Sequence, residues 1–133
     1  MSGYIINIEE ATAKNEHYRQ VLFTARHTQL VLMNLKPGEE IGEEVHDLDQ
    51  FIRFEAGEGN VVLDGKHHSV SDGYAVVIPA GTRHNVMNRS RTTDLKLYSL
   101  YSPPEHKDKT IHRTKRDADA DEHHHFDGKT SIS

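Results

Sequence analysis

Residues 73–88 constrain this chain more than any other stretch. They read Gly-Tyr-Ala-Val-Val-Ile-Pro-Ala-Gly-Thr-Arg-His-Asn-Val-Met-Asn. The apolar run that starts at Ala75 ends at Pro79, which has no amide hydrogen to continue a strand ladder, and Gly81 follows in the turn. A short buried strand closed by a tight turn is the result, and His84 stands near the start of the strand that leaves it. Such a histidine is either a hydrogen-bonded structural residue or a metal ligand held at fixed depth. A ligand needs partners, and a candidate set, Glu44, His46 and Gln50, lies roughly forty residues upstream.

Those upstream residues sit in an alternating segment. The even positions of residues 44–54 include Glu44, His46, Gln50, Ile52 and Phe54, which share one face if the segment is a strand. The face grades from polar to apolar, as a pocket with an apolar floor requires. Arg53 has the opposite parity and points away. Asn88 reads as a turn or barrel-stabilising residue.

The remainder has the punctuation of an all-β chain. Residues 4–8 form an apolar edge strand, and residues 9–15 suit a short helical turn, marginal on its own. Residues 19–24 and 29–35 read as strands, the second ending at Lys36-Pro37-Gly38. Asp64-Gly65 joins residues 60–63 to 66–70 in a hairpin, because that dipeptide accepts the positive φ of a type I′ turn. His67 and His68 beside it are solvated hairpin positions. Residues 95–101 make a last strand before Pro103 and Pro104. About nine short strands leave a jelly roll, an immunoglobulin-like sandwich and an up-and-down barrel open. Residues 1–18 are thus an N-terminal strand or arm, residues 19–103 the barrel and residues 104–133 a polar tail. In the tail Phe126 is the only aromatic, so an extended segment with little capacity to bury apolar surface is expected, lying free, across the barrel or on a second subunit.

Composition removes whole classes of function. A net charge of −5 with no basic stripe argues against nucleic-acid binding. The absence of cysteine rules out disulfides, thiolate metal sites and a cysteine nucleophile. No apolar run approaches a membrane span and the first residues lack a signal peptide's pattern, so a soluble, cytoplasmic protein is expected. No serine-nucleophile, phosphate-loop or dinucleotide motif is present. Eleven histidines raise the prior for metal, although His106, His112, His123, His124 and His125 fall in the tail.

The spacing of these residues resembles the cupin superfamily. Gly73, Pro79, Gly81, His84 and Asn88 fit the second signature segment of that family without a gap. Gly38, Glu44, His46, Gln50 and Gly57 follow the spacing of the first, with Glu44 where histidine is usual and Gln50 where glutamate is usual. The chain looks most like small single-domain cupins of the mannose-6-phosphate-isomerase-like group. The resemblance covers residues 19–103. It implies a double-stranded β-helix, the jelly-roll barrel of cupins, with one divalent transition metal (Mn, Fe, Ni, Co or Zn) held by Glu44, His46, Gln50 and His84. It also implies a homodimer.

Two histidines and one carboxylate suit Lewis-acid chemistry on a small sugar-like hydroxy-carbonyl substrate, with Glu44 or a bound water moving the proton. Isomerisation, tautomerisation or ring opening are the reactions expected. The same set serves Fe(II)/O2 dioxygenases. A non-catalytic module that binds or senses a small ligand is the third reading.

Overall fold

The computed structural model describes residues 3–132. In chain order its elements are α1 (Ile8–Lys14), β1 (Arg19–Thr24), β2 (Gln29–Leu35), β3 (Asp49–Ala56), β4 (Glu58–Leu63), β5 (Lys66–Ser71), β6 (Ala75–Ile78), β7 (His84–Asn88), β8 (Leu95–Ser102), β9 (Ile111–His112) and α2 (Lys115–Ala120). The strands form two sheets, β6-β3-β8-β2-β1-β9 and β5-β4-β7. Every pairing between named strands is antiparallel. This is the jelly-roll barrel of a double-stranded β-helix, as the cupin resemblance implies and as one of the three architectures left open by the strand pattern.

Alternation along the strands fills the barrel. On β8 Leu95, Leu97, Ser99 and Tyr101 are buried, on β3 Gln50, Ile52 and Phe54, and on β7 His84, Val86 and Asn88. Phe54, Met33, Leu35, Ile52, Leu95 and Leu97 are fully enclosed. Each such side chain contributes about 1.5–3 kcal/mol through removal of apolar surface from water. One end of each inward face is polar instead, with Gln50 on β3, His84 on β7 and Ser99 and Tyr101 on β8. The expected gradient from polar mouth to apolar floor is therefore present.

Asn88 secures the opposite end of β7. Its amide donates to the carbonyls of Leu35 and Thr93 (3.0 and 2.9 Å), and its side-chain oxygen accepts from Ser90 N (2.9 Å). Gly57 has φ 95°, and a Cβ there would lie 2.4 Å from the Asp94 carbonyl oxygen, so only glycine allows β3 to turn into β4.

Four expectations are corrected. The strand of residues 75–78 is not buried along its length: Val77 is 66% exposed, and of its four residues Ile78 alone is buried. Residues 4–8 do not form an edge strand. Ile5 is fully exposed, Tyr4 stacks on Phe23, and α1 begins at Ile8 under an Asn7 cap whose side chain accepts from Glu10 N (3.1 Å). Residues 44–54 are not one continuous strand. Residues 39–46 run antiparallel to β7, with Ile41 N on Val86 O and mutual bonds between Glu44 and His84. The chain then crosses to the larger sheet, where β3 starts at Asp49. Beyond Pro104 the chain is not an extended segment, and of the dispositions left open it takes the one across the barrel. It folds back as a strap: β9 pairs with β1, α2 follows, and Ser131 N reaches Thr24 O at 2.8 Å. Polar groups hold the strap where apolar burial is scarce. Among the described residues no helix is long and apolar enough to cross a membrane.

Candidate metal centre

The crossing of residues 44–46 between the two sheets builds the site. Glu44 and His84 exchange both backbone hydrogen bonds (2.8 and 2.9 Å), which sets their side chains next to each other. Gly81, at φ 85°, turns its amide onto the His46 carbonyl (2.8 Å) and anchors that residue to the same turn. Glu44, His46 and His84 consequently place one ligand atom each within 4.8 Å of one another. The imidazoles of His46 and His84 lie 5.1 Å apart, and the Tyr101 ring stands edge-on to His46 at 6.3 Å.

The protonation pattern suits a cation. His84 is 4% exposed, and its Nδ1 faces the Thr82 carbonyl at 2.9 Å. A carbonyl only accepts, so Nδ1 carries the hydrogen and Nε2 keeps its lone pair for a metal. His46 lies between two carboxylates, its Nε2 3.6 Å from Glu44 Oε1 and its Nδ1 3.4 Å from Glu105 Oε2. Both are ion-pair distances, longer than good hydrogen bonds. Pairing with Glu44 raises the His46 pKa above the ordinary histidine value, against the opposing effect of burial, and Glu105 adds to the rise. Burial by itself would push Glu44 up. Pairing with His46, helped by Arg19 and His84, outweighs it and holds Glu44 below the usual carboxylate value. Glu44, His46 and His84 are the residues that would hold a divalent ion, which would supply the positive charge that faces Glu44.

Gln50 is 4% exposed and occupies the expected face of β3. Its Nε2 donates to Ser99 Oγ at 3.2 Å, while its buried Oε1 has no partner among the described residues. An orphaned amide oxygen is costly unless something satisfies it, and a cation or its water does so. The residues present therefore fit a divalent metal. Tyr101 is buried on the inward face of β8, and burial raises its pKa, so its hydroxyl stays protonated. Tyr98 points the other way, toward Phe51.

Glu105 is a site residue that the sequence reading did not single out. Its side chain is 13% exposed and touches His46 through one oxygen and His125 Nδ1 through the other (3.2 Å). The available signal was its tether: it follows Pro103-Pro104 at the end of the strand that carries Tyr101. The tail histidines are not a loose tract either. His106 and His124 face each other through Nδ1 at 3.1 Å, and His112 bridges Arg19 (3.0 Å) and Asp121 (2.9 Å).

The comparisons agree with this geometry. The cupin-domain family model matches residues 31–101. The uncharacterised protein YrkC of Bacillus subtilis is 47% identical over 90% of this chain and 67% of its own length. The uncharacterised protein L612 of Acanthamoeba polyphaga mimivirus is 49% identical over 77% of this chain and 67% of its own length. The crystal structure of BH2720 from Bacillus halodurans superposes with a TM-score of 0.87 at 43% identity, covering 90% of this chain and 96% of that one. A barrel with His84 and its motif residues in register, a matching family model and relatives of this similarity together establish that the chain belongs to the cupin family.

Proposed function

We propose that this cupin binds one divalent transition metal through Glu44, His46 and His84, with Gln50 Oε1 as a neutral fourth donor, and uses it on a small sugar-like hydroxy-carbonyl compound. The observation that carries the reading is the convergence of one carboxylate and two imidazoles at the polar end of the barrel. The metal, when bound, supplies Lewis-acid polarisation of a substrate oxygen. The chain's own groups do the rest. Glu44 is kept ionised by His46 and its side chain is 40% exposed, so it is both acidic enough to remain a carboxylate and open enough to accept a proton from substrate. His84 is locked in one tautomer by Thr82. The Tyr101 ring stands edge-on to His46, and its hydroxyl is kept neutral by burial. Removal of a proton next to the carbonyl by Glu44 and its return to the neighbouring carbon or oxygen gives isomerisation or tautomerisation; transfer of the anomeric hydroxyl proton to the ring oxygen as the C–O bond breaks gives ring opening.

The test is solvent deuterium exchange at the carbon adjacent to the carbonyl, followed by proton NMR, across a panel of aldoses, ketoses and uronates with metal-loaded protein. Exchange that depends on metal supports the reading. The donor set of two histidines and one carboxylate favours a second reading, Fe(II)/O2 oxygenation. Oxygen consumption by the Fe(II) form without deuterium exchange would establish that one. Tight ligand binding with neither outcome would make the chain a binding or sensing module.

A further inference from the structure

We propose that Glu105, delivered by the strap, is a positioning residue that fixes the His46 imidazole for the metal; the inference rests on the metal reading above. Three observations converge on it. The Glu105 carboxylate meets the nitrogen of His46 that faces away from Glu44, at 3.4 Å, so it orients the ring with Nε2 toward Glu44. A carboxylate on the far nitrogen of a ligating histidine fixes its tautomer and strengthens it as a donor. Glu105 is also built in rather than loosely placed. Gln29 is fully buried and spends all its hydrogen-bonding capacity on the base of the strap and its neighbour. Its Oε1 accepts from the amides of Glu105 (3.3 Å) and His106 (3.0 Å), and its Nε2 donates to His106 O (2.7 Å) and Thr24 Oγ1 (2.9 Å). The Phe126 amide then closes onto Glu105 O at 2.9 Å, and His125 Nδ1 takes the second carboxylate oxygen. The Gly81 amide holds the His46 backbone, but residues 45–48 lie outside the named strands, and it is Glu105 that meets the Nδ1 of the ring.

The test compares Zn(II) and Co(II) affinity, measured by competition with a chromophoric chelator, in the parent, Glu105→Ala, Glu105→Gln, His125→Ala and His84→Ala. Glu105→Ala is expected to weaken binding by about 10–100-fold and to shift the visible spectrum of the Co(II) form. Glu105→Gln, which keeps an acceptor and loses the charge, falls between Glu105→Ala and the parent. His125→Ala removes the outer contact to Glu105 and a ring contact with His124, leaves the Glu105–His46 pair in place and stays close to the parent. A purely structural role for Glu105 would lower the melting temperature and leave the Co(II) spectrum of the folded protein unchanged, which would overturn the proposal. Parent-like affinity in Glu105→Ala, with binding lost in His84→Ala, overturns this inference alone. A parent chain that binds neither metal overturns the metal reading and this one with it.

Discussion

The two histidines of the centre are held in opposite ways. His84 sits on a regular strand, nearly buried, and its Nδ1 is tied to a backbone carbonyl two residues away. His46 sits on an irregular crossing between sheets, and its Nδ1 is met by the side chain of Glu105, brought in from the far end of the chain. The first anchor is local and made of backbone, so it follows from the turn itself. The second depends on the docking of a whole strap. One half of the centre is therefore insensitive to side-chain changes around it, and the other half is open to control from outside the barrel.

The most severe way to break this asymmetry without touching a ligand is Gln29→Leu. It strands the amides of Glu105 and His106 and the His106 carbonyl in a buried place, at roughly 1–3 kcal/mol for each group left unsatisfied. Thermal unfolding should show the loss of stability, and metal affinity should fall with it because Glu105 is no longer delivered.

A change of pH separates the two regions more gently. Burial, with the charges of Arg19, His124, His112 and His46, holds the pKa of His106 well below the ordinary histidine value. A histidine depressed in the folded state contributes stability that is full above its unfolded pKa, about 6.5, and is lost as pH falls below it. The strap should loosen from about pH 6.5 downward, by up to about 1.4 kcal/mol per pH unit for His106. His124 shifts the same way, chiefly by burial, and being more exposed adds a smaller, screened share. His46 has the opposite sign. Its raised pKa gives the metal-free site stability that is present below about 6.5 and lost as pH rises through the folded value. Amide resonances of Lys107 and Phe126, whose amides bond within the strap, should weaken between pH 7 and pH 5 while those of Glu44 and His84 persist. Simultaneous loss of both sets would erase the distinction.

The smallest effect belongs to Thr82→Ala. The carbonyl that anchors His84 survives the substitution, so metal affinity should change by less than about twofold, well short of the 10–100-fold expected for a side-chain anchor. A large loss, measured by the same chelator competition, would mean that His84 is not held by backbone alone.

The same asymmetry explains what the sequence made legible. The turn at Pro79 and Gly81, the start of β7 at His84 and the inward parity of Gln50, Ile52 and Phe54 are all local or periodic, and all stand where the pattern puts them. Glu44 and His46 were legible as candidate ligands and not as a crossing. Their alternation is the same whether they pair with β7 or continue β3, and only the backbone bonds to His84 and Gly81 decide it. The apolar residues Tyr4, Ile5 and Ile6 have strand character with no strand to pair with, and the Asn7 cap takes precedence. Glu105, Gln29 and the strap histidines were illegible as a group. Long-range polar contacts between unrelated positions leave no periodicity, and a polar composition reads as unfolded until its partners are known.

Glu44, His46 and His84 are the residues proposed to hold one metal ion per chain. Equilibrium dialysis of the metal-free protein against Mn(II), Ni(II) or Zn(II), followed by elemental analysis of the parent and His84→Ala, tests this proposal most directly. About one ion per chain in the parent and almost none in a folded His84→Ala is the result expected. Equal metal content in the two proteins would contradict the account.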